Sequence, residues 1–363
     1  MRTFLSAVAL CAVLAPAARA DEPVSPWKAG KAGVSLENLA MPLTDEEYYS
    51  DRYTAEAWFK DGTRVYVSVL VTNLGPGTGK MTAKTRWYEK SGKEHYAKKE
   101  LDRGDYKISN SPFSVEAGHI RLSGTPQRFK VTGSVEGYSY DLTFASGLSP
   151  WRPGTGRTTF GATGEKYFDT TLVQPRAVVT GSVTQGGQRT ALDGYGYVLH
   201  TFGNMAPHAM YKRFLELRSI DGDTVVYLKQ FTTPAEYGGK TVGFLYVARD
   251  GKPLVTSTGF GLKLGRVQTD GAHANKYKVP LELSTTVKRG DTTIDIVVSA
   301  PKIAGREDVL AGMSGLERTL VAPYAQPVNY SMDAEITVSV KQGDAEPVVS
   351  KEKASYGVSH LNK

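Results

Sequence analysis

The sequence predicts an all-β protein, and three observations support this. Short runs of β-branched and aromatic residues recur along the chain, as at residues 65–71, where valine occupies every second position. Turn dipeptides follow one another closely, and Glu136-Gly137 separates the strand-like residues 129–135 from residues 138–144, which indicates a hairpin. No stretch shows the apolar period of an amphipathic helix longer than about three turns. This combination is typical of β-sandwiches and barrels.

Further predicted strands and turns are spread over the whole chain. The strands cover residues 177–183, 193–202, 224–231, 242–249, 276–286, 292–299 and 329–341. The turn dipeptides are Asp61-Gly62, Ser91-Gly92, Arg103-Gly104, Gly186-Gly187, Asp221-Gly222, Asp250-Gly251 and Arg289-Gly290. The chain also has 20 tyrosines, whose apolar body and polar tip suit either an ordinary strand or a wall that meets both lipid and water.

An export signal is predicted at residues 1–20. Arg2 supplies the positive start, residues 4–15 form an apolar run, and the A-R-A sequence at residues 18–20 matches a cleavage site, so the mature chain would begin at Asp21. A membrane anchor is the alternative, but the run is too short to cross about 30 Å of hydrocarbon. The sequence therefore predicts a periplasmic or secreted protein.

Composition narrows the possible functions of the mature chain. The only cysteine, Cys11, lies in the signal, so the mature protein would have no disulfide. Removal of twenty residues from the 363-residue chain leaves 343, enough for two ordinary domains. Two arginines leave with the signal, which lowers the formal net charge from +7 to +5. The basic residues form no cluster of the kind that binds nucleic acid, although transient contact with an anionic membrane surface remains open.

Motifs for metal binding and covalent catalysis are missing from the sequence. The six histidines form no close pair with carboxylates, and structural roles explain His200 and His208, eight residues apart, better than ligation does. Ser314 lacks the second glycine of a nucleophile elbow. The glycine-rich residues 75–80 lie between predicted strands rather than before a helix, unlike a phosphate loop. We therefore predict no catalytic residue, no metal site and no cofactor.

One segment, residues 204–242, carries a more specific pattern. A Met-Ala-Pro-His turn at residues 205–208 precedes an aromatic strand at residues 214–215, and Phe-Thr-Thr-Pro-Ala-Glu-Tyr-Gly follows at residues 231–238. This order resembles the survival-factor family of tandem lipocalin-like proteins, whose best characterised members are associated with ceramide traffic. The resemblance implies two consecutive lipocalin-like antiparallel β-barrels.

The resemblance, together with the polar residues Gln185-Gly186-Gly187-Gln188, sets the predicted domains. After the signal, residues 21–44 form a leader, residues 45–185 the N-terminal barrel and residues 186–363 the C-terminal barrel. Each half is close to the size of one lipocalin barrel.

Residues 193–203 bear on a possible enzymatic activity. The same superfamily contains carotenoid hydratases and lipocalin-type Diels–Alderases, and the hydratases carry a Gly-Tyr-x-Asp-His pattern at this place. Their acid is needed to protonate an alkene. Here Leu199 stands in its position, directly before His200, so the proton donor is missing and hydratase activity does not carry over.

The resemblance implies an exported carrier that holds a ceramide-like or other long-chain lipid, or another hydrophobic small molecule, in an apolar barrel cavity or inter-barrel cleft. Arg176 and His208 are expected at the seam between the barrels, near a polar head group. The candidate ligand-binding residues are Trp58, Tyr66, Trp87, Arg176, Tyr195, Tyr197, His200, Phe202, His208 and Phe214.

Two alternatives stay open. A hydratase, isomerase or cyclase acting at the barrel interface would need Asp193, Glu216 or Glu236 beside one of the two histidines in the pocket. A structural or adhesive protein would have a packed interior without a cavity.

Overall fold

The computed structural model describes residues 24–25, 33–73, 78–312, 315, 318–319, 322 and 325–361. The predicted export signal with Cys11 and Asp21, residues 75–77 of the glycine-rich loop, and Ser314 lie outside these residues. Within them, no helix is long and apolar enough to cross a membrane.

The described chain consists mainly of β-strands. An α-helix, α1, covers Pro207–Met210, and 3₁₀-helices cover Leu36–Leu39, Ala235–Tyr237 and Val309–Gly312. The strands are β1 (Val24–Ser25), β2 (Ser50–Phe59), β3 (Arg64–Thr72), β4 (Lys80–Tyr88), β5 (Glu94–Leu101), β6 (Tyr106–Asn110), β7 (Phe113–Ala117), β8 (Ile120–Gly124), β9 (Arg128–Val135), β10 (Tyr138–Ser146), β11 (Arg157–Phe160), β12 (Lys166–Gln185), β13 (Gln188–Gly203), β14 (Arg213–Ser219), β15 (Thr224–Thr232), β16 (Thr241–Arg249), β17 (Lys252–Ser257), β18 (Lys263–Thr269), β19 (Lys278–Arg289), β20 (Thr292–Ser299), β21 (Gly305–Asp308), β22 (Val328–Gln342) and β23 (Val348–His360).

These strands form two antiparallel sheets. The N-terminal sheet has the order β5-β4-β3-β2-β13-β12-β10-β9-β8-β7-β6, with β11 on β12 and β1 on β11. The C-terminal sheet has the order β17-β16-β15-β14-β23-β22-β20-β19-β18, with β21 on β22. One sheet closes into a nearly complete barrel and the other into a half-barrel. The prediction of an all-β, tandem lipocalin-like fold is confirmed, with one barrel only half closed.

Several predicted elements appear where the sequence places them. Valine alternation at residues 65–71 corresponds to β3, whose valines are buried while Tyr66 and Leu70 are half-buried on the other face. The predicted hairpin is formed by β9 and β10, with Val135 opposite Tyr138. Its turn residue Glu136 has a φ of 41°, and Gly137 follows with 87°.

The chain changes sheets later than predicted. Residues 185–186 fall at the turn between β12 and β13, and both strands belong to the N-terminal sheet. By sheet membership, the boundary lies between Gly203, where β13 ends, and Arg213, where β14 begins. The Gly186-Gly187 pair, with φ values of 57° and 82°, closes a tight hairpin rather than a linker. A polar glycine pair serves either purpose, which is why sequence alone misplaces the boundary.

Three hydrophobic clusters hold the molecule together. One lies inside the N-terminal sheet and includes Tyr53, Val131 and Phe144. A second lies inside the C-terminal sheet and includes Leu217 and Ile336. A third lies between the two sheets, where the outer faces of β13, β15 and β16 meet; we call this contact the seam. Its buried members are Val24, Leu148, Phe160, Leu172, Tyr197, Leu199, Met205, Met210, Ile220, Val225, Tyr227, Phe231, Val242, Phe244, Tyr246 and Ala248.

Strand alternation explains how the seam and the sheet interiors share the same strands. On β13, Val198 packs inside the N-terminal sheet, whereas Tyr197 and Leu199 pack in the seam. On β15, Leu228 packs inside the C-terminal sheet, whereas Tyr227 packs in the seam. Strands at the seam are therefore buried on both faces.

Gly196 sets how closely β13 approaches β2. A Cβ added there would lie 2.8 Å from Cε1 of Phe144 and closer still to the carbonyl oxygen of Glu56. Only glycine permits this approach, and strand alternation turns the flanking Tyr195 and Tyr197 toward the seam.

We predict that Gly196→Ala lowers the free energy of unfolding by about 1–3 kcal/mol, because the added methyl overpacks the β2–β13 contact. Urea denaturation followed by circular dichroism measures this. The matched control is Gly271→Ala, since a Cβ at Gly271 has no neighbour within 4 Å. Equal stability of the two variants would contradict the assigned role of Gly196.

Candidate functional site

A cavity of about 330 Å³ opens in the seam, and we call it the seam cleft. This volume lies at the lower end of the range of small-molecule pockets, about 300–1,000 Å³. Its walls come from the outer faces of β2, β13, β14 and β15, with α1 beside them. The lining residues are Ser50, Arg52, Thr54, Tyr66, Leu70, Tyr167, Phe168, Tyr197, Leu199, Thr201, Phe202, Gly203, Met205, Pro207, Met210, Tyr211, Phe214, Glu216, Arg218, Lys229 and Phe231.

Cross-strand pairs build two opposite walls of the cleft. On the N-terminal sheet, Leu199 stands opposite Thr54, and Thr201 opposite Arg52. On the C-terminal sheet, the pairs are Phe214 with Phe231 and Glu216 with Lys229. Because neighbours across strands point to the same face, each wall presents its pairs together to the cleft.

Aromatic rings make one end of the cleft apolar. The ring of Tyr211 lies 5.3 Å from Phe214 and 6.3 Å from Phe231, centroid to centroid. Phe231 also meets the edge of Phe168 at 6.5 Å. Burial raises the pKa of the Tyr211 hydroxyl to about 12, so this tyrosine is neutral at physiological pH. Such a wall suits a hydrocarbon chain.

Charged side chains occupy the other end of the cleft. Lys229 Nζ lies 4.0 Å from Glu216 Oε2, and an Arg218 nitrogen lies 3.7 Å from Glu216 Oε1. Lys229 Nζ also lies 5.2 Å from the ring centroid of Phe214. These are ion-pair distances longer than hydrogen bonds. The cleft therefore combines an apolar wall with charged side chains that lie at ion-pair distances from one another.

Burial and neighbouring charges perturb these groups. Burial lowers the pKa of Lys229, with Glu216 acting in the opposite direction. Burial also acts to raise the pKa of Glu216, but Lys229, Arg218 and Arg52 outweigh it and hold that pKa below its usual value. Glu216 is thus a carboxylate at neutral pH.

A second carboxylate, Glu56, lies behind the cleft and is fully engaged. Arg64 Nε donates to its Oε1 at 2.6 Å, and the Tyr197 hydroxyl donates to its Oε2 at 2.8 Å. The guanidinium of Arg218 stacks on the Tyr197 ring at 4.0 Å and lies 3.9 Å from Glu56.

Two further pockets adjoin the seam. A wider one, about 840 Å³, is lined by Trp58, Tyr195 and Arg218 among others, so Arg218 borders it as well as the cleft. Another, about 420 Å³, is lined by Arg176 and Tyr195. Arg176 donates to the Asp221 carbonyl at 3.4 Å, and this contact crosses the seam.

The predicted site residues are distributed over these spaces. Tyr66, Tyr197, Phe202 and Phe214 line the seam cleft. Trp58 and Tyr195 line the wider pocket and stack on each other at 5.7 Å. Arg176 lines the pocket of about 420 Å³ beside the seam. Trp87, His200 and His208 line none of the three pockets.

Trp87 belongs to the interior of the N-terminal sheet. It is 1% exposed, and its ring lies 5.6 Å from Tyr138 and 6.2 Å from Phe59. Its packing is that of a core residue.

His200 is also a core residue, and both of its ring nitrogens are engaged. Nε2 lies 2.7 Å from Asp51 Oδ1, and Nδ1 lies 2.9 Å from the Asn38 carbonyl oxygen. Tyr49 donates to the other Asp51 oxygen at 2.9 Å. The His200 ring stacks on Tyr53 at 4.2 Å. The side chains of His200 and Asp51 are both 0% exposed, so this pair does not reach the cleft.

His208 lies on α1 beside the cleft. It is half-buried, and burial lowers its pKa, with Glu236 acting in the opposite direction. Asp193 pairs with the surface Lys60. His200 is thus paired with Asp51 away from the cleft, and Glu236 is the carboxylate that acts on His208. In the described part of the chain, no group of three His, Cys, Asp or Glu side chains is arranged to hold a metal ion.

The sequence analysis missed Arg52, Arg218 and Lys229, and named Glu216 only as a possible acid. A signal for Lys229 exists in the sequence: it directly follows the mainly apolar residues 225–228 of β15, and Phe231 comes two residues later, a pattern typical of a strand buried on both faces. A lysine within such a run is buried and has a functional or structural reason to be there.

Comparisons with known proteins agree with this architecture. The model of the Svf1 family matches residues 53–356. A protein of Emericella nidulans named "Ceramide-binding protein svf1" is 24% identical over 313 residues, which cover 81% of each chain.

Two solved structures share the fold. Kievitone hydratase of Nectria haematococca superposes with a TM-score of 0.53 and 14% identity, over 94% of this chain and 98% of that one. CghA, solved with Sch210972, superposes with a TM-score of 0.58 and 11% identity, over 93% and 99%. At these identities the likeness concerns the fold alone.

We predict that His200→Ala destabilises the protein by about 3 kcal/mol, because it leaves the buried Asp51 carboxylate short of a hydrogen bond and opens a cavity. Ligand binding by the folded variant should be unchanged. The control is Thr201→Ala, the next residue, which faces the cleft and should cost less than about 1 kcal/mol. Wild-type stability of His200→Ala in urea, or loss of binding by the folded variant, would contradict a purely structural role.

Proposed function

The chain belongs to the Svf1 family, and on that premise we propose that it binds a long-chain lipid in the seam cleft without transforming it. The observation that carries the proposal is the cleft itself, an apolar aromatic wall beside a set of charged side chains between two sheets. The name of the Emericella nidulans relative supports a ceramide-like or other long-chain lipid.

The energetics of such binding are favourable. Burial of one methylene group is worth about 0.8 kcal/mol, so about ten groups provide roughly 8 kcal/mol before the cost of ordering the chain. The cleft, of about 330 Å³, holds part of a long acyl chain.

We further propose that the protein is exported and carries its lipid through the periplasm or outside the cell, with transient contact at a membrane surface. The sequence at residues 1–20 supports export. N-terminal sequencing of protein recovered from the native host tests this point, since cleavage before Asp21 is expected and an intact Met1 would contradict it.

A second candidate is an enzyme that isomerises or cyclises a hydrophobic substrate in the same cleft. Glu216 and Lys229 favour it, because they form a buried ionisable pair that faces the space a substrate would occupy. Turnover that Glu216→Gln abolishes while binding persists would establish it over the carrier.

For the carrier, we predict that Thr201→Trp weakens lipid binding at least tenfold, because the indole fills the seam cleft. Delipidated protein is titrated with a fluorescent long-chain lipid, and native mass spectrometry counts the lipid retained. The control is Val297→Trp, at a site 51% exposed on the C-terminal sheet. Failure of the wild type to take up any long-chain lipid would refute the proposal, and equal binding by both variants would place the lipid outside the cleft.

A further inference from the structure

Arg218 is a half-buried cation that stacks on the Tyr197 ring and leaves hydrogen-bonding capacity unused. Its side chain is 16% exposed, and its nearest carboxylate contacts are 3.7 Å to Glu216 and 3.9 Å to Glu56. Its Nε is buried and has no hydrogen-bond partner. A guanidinium has five N–H donors, and leaving the buried Nε–H without a partner is costly.

The carboxylates near Arg218 are committed to other partners. Both Glu56 oxygens accept hydrogen bonds, from Arg64 and from the Tyr197 hydroxyl. Glu216 faces Lys229 across β14 and β15. Arg218 therefore lies within ion-pair distance of two carboxylates, each of which has another cationic partner.

The charged side chains that line the cleft include more cations than anions. Arg52, Arg218 and Lys229 are cationic, and Glu216 is the single anionic side chain among the lining residues of this cavity. Arg52 is exposed, so the imbalance among the covered side chains is one positive charge, from Arg218 and Lys229 against Glu216. Uncompensated charge in a low-dielectric site favours a ligand of the opposite sign.

The geometry of the apolar wall relative to Arg218 completes the site. Phe214, two residues before Glu216 on β14, and Phe231 opposite it form the hydrocarbon-facing wall. Arg218 lies two residues further along the same face of β14. A ligand lying along this strand would place its tail on the phenylalanines and its head at Arg218.

From these contacts we infer that the seam cleft selects an amphiphile with a negatively charged head group, a carboxylate or a phosphate, bound by Arg218. This inference rests on the proposed lipid-binding function and narrows its ligand class. Arginine suits this role because its planar donors match carboxylate and phosphate oxygens in a bidentate manner. A neutral alcohol or amide head group would leave the guanidinium without a counter-charge.

The test compares ligands that differ only in the head group. Delipidated protein is titrated with dodecanoic acid, dodecyl phosphate and dodecanol below their critical micelle concentrations, and with vesicles containing a neutral ceramide. We expect at least one of the two anions to bind ten to a hundred times more tightly than dodecanol, the ratio that one charge-assisted hydrogen bond provides. The anion with the higher affinity shows whether the site prefers a carboxylate or a phosphate.

Variants at Arg218 assign that preference to the residue. Arg218→Met should bring the affinity for the anion down to that for dodecanol, and Arg218→Lys should keep part of the preference because it keeps the charge. The control is Arg86→Met, which removes a surface arginine paired with Glu94 at 3.1 Å and should leave the preference intact. If Arg218→Met does not fold, the wild-type ratio and Arg218→Lys decide.

The outcomes separate this inference from the proposed function. Dodecanol or ceramide binding as tightly as both anions would overturn the inference and leave lipid binding in place. Tight anion binding that Arg218→Met does not weaken would overturn the assignment to Arg218. No uptake of any of these ligands would overturn the proposed function itself.

Discussion

The structure depends on the packing of one sheet against the other through faces that usually meet solvent. Most strands of an antiparallel barrel bury one face and expose the other. Here the strands at the seam, β13, β15 and β16 above all, bury both, because their outer residues pack against the opposite sheet. Tyr227 illustrates the contact, since its hydroxyl crosses the seam to donate to the Pro175 carbonyl at 2.6 Å. Because both faces of these strands are buried, the seam is part of the protein interior and has a low dielectric constant.

Charged side chains that line a cavity lie in the seam, whereas the buried His200–Asp51 pair inside the N-terminal sheet is closed by its own hydrogen bonds. The hydrophobic clusters inside each sheet consist of aliphatic and aromatic side chains, among which an unpaired charge would be costly. The outer faces of the sheets accept polar residues more readily than the inner faces do. Glu216, Arg218 and Lys229 therefore lie on strands whose inner face packs in the hydrophobic core. A site between sheets thus keeps rigid walls and still presents charge to a ligand.

The sequence predicts local structure here better than it predicts long-range pairing. Strand β3 and the β9–β10 hairpin follow from alternation and turn residues alone, and the tandem fold follows from the pattern at residues 204–242. The position at which the chain leaves the N-terminal sheet does not follow from the sequence, because Tyr195 pairs with Trp58, which is distant in the chain. Four of the ten candidate residues line the cleft, since aromatic residues mark both cores and pockets. Arg218 could not be found from sequence, because an arginine in a short strand resembles any surface charge until the second sheet covers it.

The central claim, that ligand lies between the sheets rather than inside either one, is tested most directly by photo-crosslinking. A fatty acid with a diazirine in its tail is bound to the protein, irradiated, and located by peptide mass spectrometry. Because side chains alternate between faces, the account predicts adducts on Leu199, Met205 and Phe214, which face the cleft, and none on their neighbours Val198 and Leu215, which face the sheet interiors. Adducts concentrated on the interior residues would contradict it.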